Sequence, residues 1–193
     1  MNKKLKQTFF YVYMTLFSSI CLAIDDYSFS ESEAKQLPPF CLGLSIGNFQ
    51  DNAKHLRKEV KSPAGSHNHH FCHGMKSMLR QDYSTAIQEF EYVQTNSGDP
   101  RKLPQSYYLI LAATSLYKAE AMAKLGNPRA IEEYNKAIQL KPKYPQAYAK
   151  LADYYSSRGM KDDALETIKL GIKYSPNSKA LNKRLQKIQQ NNK

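Results

Sequence analysis

Residues 145–178 read PQAYAKLADYYSSRGMKDDALETIKLGIKYSPNS, 34 residues whose pattern decides the fold. Tyr148, Leu151, Ala152 and Tyr155 recur at helical three- and four-residue spacing, which predicts a first amphipathic helix. Gly159 punctuates the chain. A second helix follows with Ala164, Ile168 and Gly171 on one face, and Pro176 stops it. Ala152, Ala164 and Gly171 are small where two helices must cross, because a larger side chain would hold the backbones apart. The stretch is a helix hairpin with one apolar stripe, and that stripe must be buried against something else.

At these positions the stretch resembles the tetratricopeptide repeat (TPR). Tyr148 stands where that family prefers Trp, and Leu151, Ala152 and Tyr155 fill the packing positions of the first helix. Ala164, Ile168, Gly171 and Pro176 fill those of the second helix and its exit. The resemblance implies an all-α fold in which hairpins stack into a short superhelix.

The same pattern extends upstream. Residues 67–100 form a more divergent repeat: Gly74 takes the small position of the first helix, Ala86, Phe90 and Val93 those of the second, and Gln81-Asp82-Tyr83 makes the turn. His70 and His73 replace the usual Trp and Leu. Residues 101–144 hold the middle repeat. Pro104 starts a long helix through Tyr108, Ala112, Leu116, Ala119 and Met122 to Leu125, and Gly126 ends it. Asn127 is an N-cap and Pro128 a first helical residue, and Ala130, Tyr134, Ala137 and Pro142 fit the second helix. The turn is one residue shorter than in 145–178, which leaves the register of the long helix open. Residues 179–190 carry Leu181, Leu185 and Ile188 on one face, a C-terminal capping helix. The expected architecture is three hairpins plus caps, about eight helices. Residues 24–36 read as a flexible mature N-terminus. Residues 37–66 read as an N-terminal cap, with Pro38 and Pro39 forcing an extended start and a short helix near Phe49–Val60.

Residues 1–23 look like a bacterial secretory signal: Lys3, Lys4 and Lys6, an apolar run from about Phe9 to Leu22, and a small-x-small ending at Cys21 and Ala23. The run is short for a membrane span. A periplasmic or secreted chain is expected, with no stable span after cleavage and a lipid anchor on Cys21 as a minor alternative. The net charge of +11 would fall to about +8 on cleavage. The tail 179–193 holds Lys179, Lys183, Arg184, Lys187 and Lys193 without an acid. This excess reads first as a solvated cap, with contact to an acidic partner as the sharper reading; export argues against nucleic acid. Two cysteines remain after cleavage, Cys41 and Cys72. An even pair in an oxidising compartment argues for one disulfide, stapling the cap to the first repeat and stabilising by roughly 3 kcal/mol.

His67-Asn68-His69-His70-Phe71-Cys72-His73-Gly74-Met75 is the one unusual stretch. On a helix, His69 and His73 are four residues apart, a spacing that can chelate a metal. His69, Cys72 and His73 are therefore weak metal candidates, with copper the first ion to test. Cys72 is lost as a thiolate if it is oxidised, and the haem-attachment motif CxxCH is absent because position 69 is His. The structural alternative is favoured: His70 and His73 pack in repeat core positions, and His67 and Asn68 cap the helix. Small exported bacterial TPR proteins look similar across residues 37–178, pairing an LPPxC segment (Leu37–Cys41) with an HxHHxCxG segment (His67–Gly74). That resemblance implies architecture rather than a reaction.

No phosphate loop or nucleophile-elbow pattern is present, so no catalytic residues and no cofactor are expected. The TPR resemblance implies a binding module whose first helices line a concave groove for an extended peptide or a partner helix. In the family's register the groove residues are Asn68, Phe71, Met75 and Met78 in the first repeat. Leu116 and Glu120 follow in the middle repeat, and Gln146, Ala149, Lys150, Asp153 and Ser156 in the last. The expected partner is a protein or peptide of the cell envelope, with weak end-to-end self-association as a further expectation.

Overall fold

The computed structural model describes residues 29–42 and 62–190. The expected leader, the expected helix near Phe49–Val60 and the final three residues lie outside the described residues. Among the described residues the fold is all-α, with eight α-helices: α1 (Glu31–Gln36), α2 (Asn68–Leu79), α3 (Tyr83–Asn96), α4 (Tyr108–Lys124), α5 (Ala130–Leu140), α6 (Pro145–Ser157), α7 (Lys161–Tyr174) and α8 (Lys179–Gln190). The hairpins α2–α3, α4–α5 and α6–α7 stack in order, each second helix packs on the first helix of the next hairpin, and α8 closes the far end on α6 and α7.

The three second helices bury equivalent triads and nothing else: Ala86, Phe90 and Val93 in α3, Ala130, Tyr134 and Ala137 in α5, Ala164, Ile168 and Gly171 in α7. The small residue at the start of each triad lets the two helices of its hairpin approach. Opposite stand Gly74, Ala119 and Ala152, all buried. Two of the crossings are close enough to require glycine. A Cβ on Gly74 would lie 2.5 Å from Cε1 of Phe90, and one on Gly171 would lie 2.8 Å from Cβ and Cγ of Tyr148.

The three hairpin turns are built alike. Asp82 N donates to Ser77 O, Asn127 N to Met122 O, and Met160 N to Tyr155 O, at 2.9, 2.9 and 3.0 Å. This is the six-to-one bond of a Schellman ending, which needs a left-handed residue just before it. Gly126 (φ 72°) and Gly159 (φ 77°) supply that conformation in two turns, and Gln81 (φ 60°) supplies it in the first. The left-handed residue of the middle repeat stands one position closer to its triad, as the sequence indicates (Gly126 to Ala130, against Gly159 to Ala164), and the segment before α5 absorbs the difference with i-to-i+3 bonds: Ala130 N to Asn127 O and Glu132 N to Arg129 O. Asn127 therefore does not cap α5 directly. Its Oδ1 accepts from Arg129 N at 3.0 Å, and the helix begins two residues later than Pro128.

The N-terminal segment differs from expectation. Residues 24–36 were expected to be flexible, yet Glu31–Gln36 is a helix with a full capping box: Glu33 N donates to Ser30 Oγ and Ser30 N to Glu33 Oε2. Phe29, Ala34 and Leu37 are buried in the core of the first repeat. Glu33 also accepts from Arg80 Nε and Nη2 at the end of α2, at 2.5 and 3.2 Å. Burial pushes the Glu33 carboxyl up, but the bonds from Arg80 and Ser30 outweigh it and hold the group below the usual carboxylate range. Leu37 is extended, as Pro38 demands, and Pro39–Leu42 then makes a single 3₁₀ turn. That turn carries Cys41, which is disulfide-bonded to Cys72 of α2 with Cα atoms 5.6 Å apart.

These features set three expected outcomes in chemical denaturation. Gly171→Ala gains about 1 kcal/mol in helix propensity, but overpacking costs about 1–3 kcal/mol; because the contact is with the anchored Cβ of Tyr148, a net loss of about 1–2 kcal/mol is expected. Gln81→Gly should raise stability by about 0.5–1 kcal/mol by relieving a left-handed side chain. Reduction of Cys41–Cys72, which closes 31 residues, should lower stability by roughly 3–4 kcal/mol. The Glu33–Arg80 tie has a folded carboxyl pKa below the unfolded one, so its contribution is complete above the unfolded value and fades as pH falls through the folded one.

Candidate partner-binding groove

The first helices of the three hairpins, α2, α4 and α6, lie side by side and form the inner face of the stack. A cleft of about 370 Å³ opens on it, lined by Met78 of α2, Glu120, Ala123 and Lys124 of α4, Tyr134 of α5, and Lys150, Asp153, Tyr154 and Ser157 of α6 with Arg158. Of the expected groove residues, the structure brings Met78, Glu120, Lys150 and Asp153 together here.

The other expected groove residues fall elsewhere, and most for one reason. In the first repeat the N-terminal segment already occupies the inner face. Phe40 stacks on Phe71 with ring centroids 5.8 Å apart, and Phe71 is enclosed by Phe90 and Tyr117 on its remaining sides. Phe71 and Met75 are core residues, buried with Leu37, Cys41 and Cys72. Acidic substitutions there would strike the core rather than a binding surface. Asn68 is also buried, donating from Nδ2 to Ser62 Oγ at 2.7 Å and Pro63 O at 2.9 Å. Leu116 of α4 and Ala149 of α6 are both buried in the core. Gln146 and Ser156 are exposed on α6 but do not line the cleft.

The cleft is polar with an aromatic floor. Lys150 Nζ pairs with Glu120 Oε1 at 2.5 Å. Asp153 receives Arg184 of α8 in a bidentate pair, Nε at 2.9 Å and Nη2 at 2.7 Å, so the capping helix is tied to the end of the groove. Arg158 lies 5.3 Å over the Tyr154 ring. Among the described residues, Lys124 and Arg158 form no ion pair. Burial, followed by the charges of Glu120, Tyr154 and Asp153, raises Tyr134 well above the usual phenol range.

A second polar feature escaped the sequence reading. In α4, Ser115 and Lys118 occupy the places that Tyr148 and Leu151 hold in α6. Lys118 Nζ donates to Gln94 Oε1 at 3.0 Å and lies 3.2 Å from Glu133 Oε1. Gln94 Nε2 donates to Ser115 Oγ at 2.9 Å and Glu133 Oε2 at 2.7 Å. This network fixes α3, α4 and α5 together. A larger cavity, about 640 Å³, lies at the rim between the start of α4 and the ends of α5 and α7, lined by Tyr108, Leu109, Leu140, Lys141, Pro142 and Tyr174 among others.

The metal candidates His69, Cys72 and His73 are not brought together. Cys72 is oxidised to the disulfide and buried. His73 stays out of the cluster, its ring buried edge-on to Phe29 with centroids 6.4 Å apart, and burial, with Lys76 nearby, lowers its pKa. His67, His69 and His70 cluster instead, with candidate ligand atoms all within 4.8 Å of one another. His67 is the N-cap residue of α2 but makes no side-chain capping bond, and Asn68 lies inside the helix rather than capping it.

A family model for the TPR repeat matches residues 127–159. The match runs from the turn before α5 to the turn after α6, so it spans the second helix of one hairpin and the first of the next. No curated protein matches the chain. Among solved structures, the Sgt2 TPR domain from Aspergillus fumigatus is similar over 67% of this chain and 81% of that one, with 21% identity and a TM-score of 0.53. The Cut9–Hcn1 hetero-tetramer of APC/C is similar over 60% of this chain and 22% of that one, at 20% identity and a TM-score of 0.49. MamA protein is similar over 63% and 80%, at 19% identity and a TM-score of 0.36. With its equivalent triads, its repeated turns and a repeat signature at 127–159, the chain has the fold of a short TPR superhelix.

Proposed function

We propose that this protein is an exported scaffold of the cell envelope that holds a partner segment in the cleft between α4 and α6. TPR domains bind protein partners, and the observation that carries the reading here is the composition of the cleft. Both of its acids are already paired, Glu120 with Lys150 and Asp153 with Arg184. Lys124 and Arg158 remain to receive a ligand's charge. Met78, Ala123 and the Tyr154 ring offer an apolar floor beside them. An extended segment carrying one or two carboxylates next to an apolar anchor fits both features. The lysine-rich leader and the pair of cysteines support an oxidising compartment as the setting.

Because the N-terminal segment fills most of the first repeat's inner face, the partner makes its contacts on the middle and last repeats and, in the first, on Met78 alone. Lys124→Glu combined with Arg158→Glu changes two exposed side chains and should leave helicity and denaturation midpoint unaltered. Capture of partners from an envelope extract by the tagged chain, identified by mass spectrometry and then measured as a purified pair, should weaken at least tenfold in this variant. Leu109→Glu at the rim cavity should leave it unchanged. If the rim variant alone loses capture, the groove assignment fails and the rim is the binding surface.

A further inference from the structure

We propose that His67, His69 and His70, with Glu89 behind them, form a binding site for a borderline divalent transition metal of the zinc or copper class at the start of α2. The site is separate from the groove and does not depend on the scaffold reading.

Three imidazoles converge there. Their candidate ligand atoms all lie within 4.8 Å of one another, and His69 is the most open of the three. Ring centroids are 4.2 Å apart for His69 and His70, 6.0 Å for His67 and His69, and 6.2 Å for His67 and His70. A tetrahedral ion with metal–nitrogen bonds of about 2.0–2.1 Å requires nitrogens about 3.3 Å apart, a contraction that modest side-chain rotation supplies.

Two further observations point to a ligand rather than to packing. The first is the partner of His70. Its Nδ1 lies 2.6 Å from Glu89 Oε2 of α3. A metal-bound imidazole characteristically donates its other ring N–H to a carboxylate, which fixes the tautomer and aims the free nitrogen outward. With Nδ1 held by Glu89, Nε2 of His70 is the nitrogen left for an ion. The Tyr92 ring, 3.8 Å from the His70 ring and 5.3 Å from that of His67, holds both planes from behind.

The second is the backbone of His67. It is left-handed, at φ 60° and ψ 26°. A non-glycine side chain is disfavoured there, and His67 makes no capping bond that would offset it. The turn does place the His67 ring beside those of His69 and His70. Strain of this kind is characteristic of ligand sites. The donor set is all imidazole, with no thiolate because Cys72 is in the disulfide. That set suits Zn²⁺, Cu²⁺ and Ni²⁺ rather than Ca²⁺ or Mg²⁺, and three protein ligands leave a coordination position for water or a partner's side chain.

The test is titration of the full chain with ZnCl₂ and, separately, CuCl₂ by calorimetry, with circular dichroism recorded for every variant. One equivalent should bind. His69→Ala and His70→Ala should each weaken binding at least tenfold, and the double variant should abolish it. Glu89→Gln should weaken it about tenfold, in line with the loss of an outer carboxylate. His73→Gln, whose ring packs on Phe29 outside the cluster, should change it less than twofold. The copper adduct should show nitrogen superhyperfine splitting in electron paramagnetic resonance that is simplified in His69→Ala. Should His70→Ala fail to fold, the more open His69 still decides the matter. Equal binding by the wild type and His69→Ala, or a loss confined to His73→Gln, would overturn the site.

Discussion

Every hairpin in this chain depends on a place where side chain is missing. Gly74 faces Phe90 and Gly171 faces Tyr148, each without room for a single added carbon. Ala86, Ala130 and Ala164 do the same work at the other crossings. A two-helix hairpin has one apolar stripe and no second layer of its own, so its burial comes from the next hairpin. That burial is possible only if the two helices sit close enough for Phe90, Tyr134 and Ile168 to reach across. The close crossing comes first, and the stacked array, the common turn geometry and the inner face follow from it.

The array must also end. At the C-terminus α8 covers α6 and α7 through Leu181, and Arg184 reaches Asp153 at the mouth of the cleft. At the other end the chain covers itself differently. Phe40 and the 3₁₀ turn lie on the inner face of the first repeat, stapled by Cys41–Cys72 and latched by Glu33–Arg80. The cap thus takes a surface that repeats of this kind leave open for ligands. The open part of the inner face is the cleft lined by Met78 and by residues of the middle and last repeats, where, among the described residues, Lys124 and Arg158 form no ion pair. The histidine cluster sits outside this arrangement, where α2 begins.

Much of this was legible in the sequence. The triads of the second helices, the three turns and the capping helix follow from spacing and residue size, and the disulfide from an even pair of cysteines behind an expected export leader. The register of α4 did not, because Ser115 and Lys118 stand where apolar residues mark the stripe in α6, and their burial is made tolerable by Gln94 and Glu133 from other helices. No local pattern announces such a network. The groove was half legible. Met78, Glu120, Lys150 and Asp153 line it, whereas Phe71 and Met75 are packed among residues distant in the chain and Asn68 is bonded to the loop just before it. The capping box Ser30–Glu33 was a local signal for α1 that the acidic composition of the segment obscured. The histidines were noticed but grouped by helical periodicity. The left-handed turn at His67 brings that ring in, and His73 is drawn into the core beside Phe29.

The central claim is that the hairpins form one stacked array whose first inner face is filled by residues 29–42. Hydrogen exchange followed by mass spectrometry on the oxidised full chain tests it most directly. Amides of α4 and α6, sandwiched on both sides, should be the slowest to exchange, those of α8 the fastest among the hairpin and capping helices, and those of α1 should be protected together with α2. Free exchange of 31–36 in the oxidised protein, or protection of α8 equal to that of α4, would contradict the account.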